Sequence, residues 1–455
     1  MEMILEFLRD ILSQPALLIG IMSCVGLIAL KRPFHKIMTG TLKPILGYLM
    51  LAAGAGVIVS NLDPLGKMIE HGFHITGVVP NNEAIVAVAQ KVLGVETMSI
   101  LVVGLLMNLL IARFTKFKYV FLTGHHSLFM ACLMSAVLGT AGLSGIELIL
   151  VGGFLMGAWS AISPAIGQSY TSKVTDGDEI ALGHFGSLGY YLSAWVAKYV
   201  GKAEESTEDI EIPDKWGFLR DSTLSTALTM IVFYLIAAIA AGSEFVATLS
   251  GSMSPYLFAV MSAMNFAVGV AIVYSGVRMI LGDLIPAFQG IATKIIPNAI
   301  PAVDCAVFFT YAPTAVVLGF ISSFIGGIIG MLILGAVGGV LIIPGLVPHF
   351  FCGATAGIYG NATGGRRGAA VGAFLNGLAI TFLPALALPV LGQLGFQNTT
   401  FGDADFAVMG LVLGNAFEWI GMAGIYGVVV IAALVLIIPN FIKTKGKVIN
   451  YVEEE

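Results

Sequence analysis

One aspartate, Asp304, lies in the stretch PNAIPAVDCAVFFTYAP (residues 297–313), among three prolines and with long apolar sequence on both sides. A charged side chain at the centre of a bilayer costs from about 2.5 to more than 10 kcal/mol, so such residues usually mark a binding site or a transport path. A carboxylate can accept hydrogen bonds from hydroxyl groups, or take up a proton as a general base. The structural alternative is that Asp304 caps a broken helix by accepting backbone N–H bonds.

A second segment resembles the one that contains Asp304. Pro64 aligns with Pro286, and Glu83 aligns with Asp304 after one residue of slippage. Prolines interrupt helices, and non-helical backbone at membrane depth is tolerated only against protein or a water-filled cavity. We therefore expect Glu83 and Asp304 to face each other across a polar site, although Glu83 too could be only a cap. The segments are NLDPLGKMIEHGFHITGVVPNNEA (residues 61–84) and DLIPAFQGIATKIIPNAIPAVDCA (residues 283–306).

Three histidines lie in apolar or glycine-rich sequence. His125 and His126 open a long apolar stretch in LTGHHSLF. Adjacent helical residues point about 100° apart, so we expect at most one of them to face a cavity; the alternative is that both lie at the membrane interface. His184, in DGDEIALGHFGS, is in a turn that we expect to dip into the protein rather than remain a solvated loop.

Small residues cluster at Gly54, Ala55 and Gly56, within AAGAGV. They allow backbone to approach closely, which suits either tight helix packing or a backbone wall against a ligand. The four cysteines are scattered singly, without the paired spacing of a metal or redox motif. We therefore expect neither a metal nor a cofactor.

The elements that position these residues must be membrane spans. The chain has 57% hydrophobic and only 11% charged residues, where soluble domains have about 25% charged residues. Mean hydropathy is +0.94, and the net charge of −5 without a basic stripe argues against nucleic acid as a partner. The first apolar run is followed by Lys31 and Arg32, so it is predicted to be a retained span and not a cleaved signal peptide.

Apolar runs predict an all-α polytopic protein with about eleven spans and with broken or re-entrant segments. Retention of Lys and Arg on the cytoplasmic side places the amino terminus outside and the carboxyl terminus inside. In this topology the two similar segments belong to inverted repeats, at approximately 40–166 and 255–392. Residues 170–222 are predicted to form a charge-rich cytoplasmic loop where a soluble partner could dock. The spans are roughly 15–30, 44–62, 95–114, 119–142, 145–166, 224–248, 257–277, 305–337, 340–360, 369–391 and 410–441.

Several stretches also carry a family resemblance that covers nearly the whole chain. They are, in order, LAAGAGVI, FLTGHH, KVTDGDEIALGH, GKAEESTEDIEIPDKW, VDCAVFFTYAPTAVVLGF, LIIPGLVPHFF and GGRRGA. With these stretches the sequence resembles the membrane-spanning IIC component of the bacterial phosphoenolpyruvate-dependent sugar phosphotransferase system, specifically the L-ascorbate type.

The resemblance implies a permease in the bacterial inner membrane that works without a cofactor. It implies an elevator-type homodimer, in which a core of two inverted repeats moves against a dimerising scaffold. A phosphocysteine on a separate IIB protein, which works with a IIA protein, would phosphorylate the sugar on the cytoplasmic side. Either Asp304 or His184 would then accept the hydroxyl proton. The implied substrate site comprises Gly54, Ala55, Gly56, Asn82, Glu83, His125, Phe129, His184, Ser187 and Asp304.

Some positions depart from the pattern that we expect of ascorbate binders. Ala55 replaces a serine, Asn82-Glu83 replaces a threonine-tyrosine pair, Phe129 replaces a glutamine, and residues 185–187 replace a run of glutamines. Hydroxyl recognition depends on matching every buried donor and acceptor, so the substrate could be ascorbate or a related sugar or sugar acid. The placement of Asp304 and Glu83 fits a proton- or sodium-coupled carrier equally well.

Overall fold

The computed structural model describes residues 14–74, 77–80, 82–177, 179–210, 222–392 and 399–441. Helices dominate these residues. They are α1 Pro15–Ala29, α2 Phe34–Phe73, α3 Asn82–Phe114, α4 Gly124–Thr140, α5 Gly145–Thr175, α6 Ser187–Val200, α7 Ser222–Ala241, α8 Ser243–Ser250, α9 Pro255–Lys294, α10 Pro313–Ala336, α11 Leu346–Gly392, α12 Ala404–Ile420 and α13 Met422–Ile437, with short 3₁₀ helices at Cys305–Thr310 and Ile438–Phe441.

Membrane spans account for most of the helical residues. Within the described ranges, seven helices are long and apolar enough to cross a bilayer, or eight if α7 and α8, which are bent by 117°, form one broken span. The chain is therefore an all-α polytopic membrane protein, as predicted, whereas the count of about eleven stays a prediction. Two of the predicted spans, 340–360 and 369–391, fall largely within α11, which bends at Gly364 and Gly365.

The two 40-residue helices, α2 and α9, pass through the prolines that were expected to break them. Pro64 lies inside α2 and Pro286 inside α9. A proline removes one helical hydrogen bond and can kink a helix without ending it, which is why the breaks fall later, after Phe73 and Lys294. The inverted relation between the repeats 40–166 and 255–392 stays a prediction.

Glycines set the contact between α2 and α9. A Cβ atom added to Gly54 would lie 2.7 Å from the carbonyl oxygen of Gly269, and one added to Gly47 would lie 2.8 Å from that of Gly276. Only glycine allows two helix backbones to come this close. Gly54 therefore packs one helix against the other at this crossing.

Within the described residues, five short strands form two parallel sheets among the helices. They are β1 Val79–Pro80, β2 Tyr119–Phe121, β3 Ala181–Leu182, β4 Ile300–Val303 and β5 Thr399–Thr400. One sheet has the order β2-β4-β3 and the other pairs β1 with β5. Pairing satisfies backbone groups that lack a helical partner, which non-helical segments within a membrane protein require. Because all strands of a sheet run in the same direction, the residues that follow them meet at one edge.

Residues 170–222 form much less of a solvated loop than the sequence predicted. Helix α5 continues to Thr175, and β3 and α6 lie within this segment. Tyr190 and Tyr191 of α6 are buried. The segment around His184 is buried, and within the described part the longest run without helix or strand is residues 201–210.

Glu208, in the 201–210 segment, caps a helix that is distant in sequence. Helix α10 has no side-chain cap of its own. Instead, the Glu208 carboxylate accepts hydrogen bonds from the backbone N–H groups of Thr314, at 3.0 Å, and Ala315, at 3.1 Å. An acidic group at this place satisfies free N–H donors and complements the helix dipole.

We expect the Glu208→Ala variant to be slightly less stable than the wild type. Loss of a helix cap typically lowers stability by about 1 kcal/mol, so the melting temperature in detergent should fall by roughly 1 to 2 °C. The Glu204→Ala variant is the matched control, because Glu204 is exposed in the same segment. Equal melting temperatures for the two variants would show that the Glu208 cap contributes nothing.

Candidate functional site

The three-stranded sheet brings together the polar residues singled out in the sequence. His125 follows β2, His184 follows β3, and Asp304 follows β4 directly. His125 Nε2 lies 3.4 Å from Asp304 Oδ2. The ligand atoms of His184, Asp304 and Cys305 all lie within 4.8 Å of one another. Residues more than a hundred positions apart thus form one cluster at one edge of the sheet.

Asp304 both caps a helix and faces the cluster. It is the N-cap of the 3₁₀ helix Cys305–Thr310, where its Oδ1 accepts the backbone N–H of Ala306 at 3.4 Å. Its other oxygen faces His125, and the residue is 8% exposed. The capping and site interpretations of Asp304 are therefore compatible, since each uses a different oxygen.

Tyr48 connects α2 to this cluster through His125. The Tyr48 hydroxyl lies 3.2 Å from His125 Nδ1. His125 Nε2 faces Asp304 Oδ2, and when the ring proton is on Nε2, Nδ1 accepts from the tyrosine hydroxyl. The result is a Tyr48–His125–Asp304 chain that holds Asp304 as an acceptor.

The His184 turn is held tightly. His184 Nδ1 accepts the backbone N–H of Gly186 at 3.1 Å and lies 2.9 Å from the Tyr190 hydroxyl. Because Nδ1 is an acceptor, the neutral ring carries its proton on Nε2 and can donate from there. Gly183 makes the turn possible, since a Cβ atom there would lie 2.4 Å from the carbonyl oxygen of Ala302 in β4.

Both His125 and His126 contact the cluster, while the expectation that at most one of them faces a cavity stays a prediction. His126 is buried, its ring centroid lies 3.8 Å from that of His184, and its Nδ1 accepts the backbone N–H of Phe185 at 3.3 Å. At the start of α4, His125 contacts Asp304 and His126 contacts the His184 turn. Side chains that diverge by about 100° therefore meet different sides of one cluster.

A second group of polar residues forms at the edge of the β1–β5 sheet. The Asn82 side chain donates to Asp403 Oδ2 at 2.6 Å and accepts the backbone N–H of Gly402 at 2.9 Å. Asp403 Oδ1 lies 3.8 Å from His184 Nδ1, which joins this group to the first cluster. The side chain of Glu83, one residue beyond Asn82, lies outside the described residues.

Ser187 and its neighbours are organised by Asp405, which is fully buried. Asp405 Oδ2 accepts the Ser187 hydroxyl at 2.7 Å and the indole N–H of Trp159 at 3.2 Å, and Oδ1 accepts the backbone N–H of Leu188 at 2.9 Å. Its own N–H donates to the carbonyl oxygen of Phe185. Asp405 therefore anchors both ends of the short segment between His184 and α6.

Phe129 forms an apolar side of the cluster. Its ring packs edge-on against His125, with centroids 5.8 Å apart, and tilted against His126 at 5.7 Å. Ala55 is half-buried and Gly56 is exposed. Among the described contacts, neither of them nor Gly54 makes a hydrogen bond to the cluster; from the same helix, Tyr48 does.

Sequence reasoning missed Tyr48, Tyr190, Asp403 and Asp405. The two aspartates lie in FGDADF, directly before a predicted span. The criterion applied to Asp304, a carboxylate beside long apolar sequence, would have found both. The tyrosines carry no comparable signal, because a tyrosine in an apolar helix is usually a packing residue.

The cluster contains residue types that often bind metals, but the hydrogen bonds of its histidines argue against a metal site. His126, His184 and Asp403 also have ligand atoms within 4.8 Å of one another. In both histidines Nδ1 accepts a backbone N–H, so Nε2 carries the ring proton. In a metal site, the histidine nitrogen that does not bind the metal normally donates its N–H to an acceptor. Here the nitrogen left for that role, Nδ1, faces an N–H donor instead. The arrangement suits hydroxyl groups, which both donate and accept.

The charge of the site also suits a ligand rich in hydroxyls. No lysine or arginine forms an ion pair with Asp304, Asp403 or Asp405 among the residues that the structure describes. Their partners are instead histidines and neutral donors. Buried carboxylates require hydrogen-bond donors to offset the loss of hydration, and hydroxyl groups can supply them.

The sequence is also similar to known proteins. The family model EIIC-GAT, described as "PTS system sugar-specific permease component", matches residues 10–405. The ascorbate-specific PTS system EIIC component of Mycoplasma pneumoniae is 26% identical over 417 residues. The match covers 78% of this chain and 62% of the relative, so the chain spans less than two thirds of that protein's length.

Proposed function

Because the chain belongs to the family of PTS system sugar-specific permease components, we propose that it translocates a sugar or sugar acid of the L-ascorbate class across the bacterial inner membrane. Translocation is coupled to phosphorylation by a separate phospho-IIB protein, which a IIA protein recharges. The chain works as a homodimer in the bilayer, with its amino terminus outside, and its core moves as an elevator. The printed name of the Mycoplasma pneumoniae relative supports ascorbate.

The observation that carries the proposal is the contact of Asp304 with His125 and His184. Ligand atoms of His184 and Asp304 lie within 4.8 Å of each other. A hydroxyl oxygen at roughly 2.8 Å from each would bridge them. It would donate to the carboxylate and accept from the imidazole, which matches the tautomer of His184.

The substrate site that we propose extends from this pair to both sheet edges. Asp304, His125 and His184 bind hydroxyl groups, and Asn82 and Glu83 contribute from the start of α3. Phe129 forms an apolar wall, and Ser187 supports the His184 turn through Asp405. Gly54 lets α2 pack closely against α9, and Tyr48 of the same helix reaches His125; we include Ala55 and Gly56, which follow Gly54 in this turn of α2, in the proposed site.

Asp304 is the group that we assign as general base. In the transfer, the S–P bond of the IIB phosphocysteine breaks while an O–P bond forms to the sugar hydroxyl. That hydroxyl loses its proton to Asp304 Oδ2, and the thiolate leaves on IIB. The Tyr48–His125 chain keeps Asp304 in the acceptor state that this step requires. His184 orients the hydroxyl by donating from Nε2.

Proteoliposomes test the coupling directly. The purified chain should accumulate phosphorylated L-ascorbate, or a related sugar acid, only when the IIB and IIA proteins and a phosphoryl donor are present on the cytoplasmic face. Omission of IIB should reduce accumulation to the level of empty liposomes. Uptake of the unmodified sugar that is driven by a pH or sodium gradient alone would instead identify an ion-coupled carrier.

A further inference from the structure

Asp403 occupies the N-cap position of α12 without capping it. An aspartate at this position normally accepts an N–H of the first helical turn, and its loss lowers stability by about 1 kcal/mol. The Asp403 side chain makes no such bond. Both of its oxygens point away from its own helix, so capping does not explain the residue.

Two hydrogen-bond donors from other parts of the chain orient the Asp403 carboxylate. Oδ2 accepts the Asn82 amide at 2.6 Å, and Oδ1 accepts the Cys352 thiol at 2.9 Å. The link to Asn82 is doubled, because Gly402 N–H donates to the Asn82 side-chain oxygen at 2.9 Å. The orientation of Asp403 is therefore set by the protein before any ligand binds.

The fixed carboxylate still has acceptor capacity. An ionised carboxylate can accept about four hydrogen bonds, and the two side-chain donors use part of this capacity. Asp403 is 5% exposed, so little water is available to supply further donors. A buried, partly satisfied acceptor selects strongly for a ligand group that can complete it.

Asp403 and Asp304 both border His184. Asp403 Oδ1 lies 3.8 Å from His184 Nδ1. A carboxylate oxygen of Asp304 lies within 4.8 Å of a ring nitrogen of His184. The two carboxylates come from different sheets, Asp304 after β4 and Asp403 after β5. One small polyhydroxylated molecule at His184 can therefore reach both.

We propose that Asp403 is a specificity-determining residue that accepts a hydrogen bond from a second hydroxyl of the transported sugar, while Asp304 accepts from the first. This inference rests on the proposed function. It assigns the second acidic position of the site to Asp403, held by Asn82, and it predicts which sugars are rejected: those that lack the hydroxyl next to Asp403.

The test is a titration of full-length protein in detergent with L-ascorbate, a set of pentoses, hexoses and polyols, and monodeoxy analogues of whichever binds best. Loss of one hydrogen bond to a charged group typically lowers the affinity about 10- to 100-fold. The wild type should discriminate against one monodeoxy analogue by that factor. The Asp403→Asn variant should bind the parent sugar and this analogue within about 3-fold of each other.

Controls separate specificity from a merely structural role. The Asp209→Asn variant changes an exposed carboxylate and should keep the wild-type discrimination. The Asp403→Glu variant keeps the charge but moves it by one methylene, so it should also lose the discrimination, and it serves where the asparagine variant does not purify as folded protein. A uniform loss of affinity for every analogue, or unchanged discrimination, would overturn the inference.

The failure of the proposed function is recognised separately. If no sugar in the set binds the wild type, the proposed function fails before any variant is compared, and the inference fails with it. If the parent sugar binds and Asp304→Asn abolishes binding while Asp403→Asn leaves discrimination intact, only the role of Asp403 is wrong.

Discussion

The Asp304→Asn variant is expected to lose at least about 100-fold in substrate affinity and all measurable transport, while it keeps its fold. The amide retains an oxygen that can accept the backbone N–H of Ala306, so the cap of the 3₁₀ helix survives. It removes the negative charge and replaces one acceptor with a donor, which then faces the Nε2–H of His125. Loss of a charge-assisted bond to a ligand hydroxyl removes roughly 1.5 to 3 kcal/mol of binding free energy, and the contact between two donors moves the amide away from the position in which it could accept from the ligand.

The measurement pairs binding with folding. Binding is followed by titration of the sugar that best stabilises the wild type, and transport by accumulation of phosphorylated sugar in proteoliposomes that contain IIB and IIA. The elution volume and melting temperature of the variant should match those of the wild type. The Asp209→Asn variant provides the control for a carboxylate at the surface. Normal transport by Asp304→Asn would show that the site has been assigned to the wrong residues.

Much of the cluster could be predicted because the membrane makes polar residues conspicuous. Asp304, His125 and His184 stand out against apolar sequence, and the structure brings all three together. The same reasoning expected at most one of His125 and His126 to face a cavity, and only His125 was placed in the implied site. Both histidines contact the cluster, His125 beside Tyr48 and Asp304 and His126 beside His184.

The contacts across the sheets could not be predicted. Strands of two to four residues are too short to show the alternation that identifies a strand in a sequence. Yet their pairing decides which loops meet. Asn82 bonds to Asp403, 321 positions away, only because β1 pairs with β5. Sequence patterns report local periodicity, whereas this contact depends on register between distant segments.

The two parallel sheets also explain why a helical protein positions its site with strands. In a parallel sheet, the residues that follow the strands all lie at one edge. Here each strand is followed, at once or within a few residues, by a site residue or by the start of a helix. Helix amino termini near the carboxylates place partial positive charge close to them. No lysine or arginine pairs with Asp304 or Asp403 within the described residues.

The Asp405→Ala variant is expected to show the largest loss of stability. Asp405 is fully buried, and its removal leaves the indole N–H of Trp159, the hydroxyl of Ser187 and the N–H of Leu188 without their acceptor. An unsatisfied buried donor costs about 1 to 3 kcal/mol. We therefore expect a loss of roughly 3 to 5 kcal/mol in the free energy of unfolding, which is the range for breaking a buried polar network.

Matched variants separate the acceptor from its individual donors. Ser187→Ala removes one donor and keeps the acceptor, so it should be less destabilising, by about 1 kcal/mol. Asp405→Asn keeps an acceptor for Leu188 N–H but presents an amide N–H₂ to Trp159, so it should lie between the two. Thermal unfolding of the purified protein in one detergent ranks all three. If the Asp405→Ala variant had the same melting temperature as the wild type, other contacts would have to hold the segment between His184 and α6.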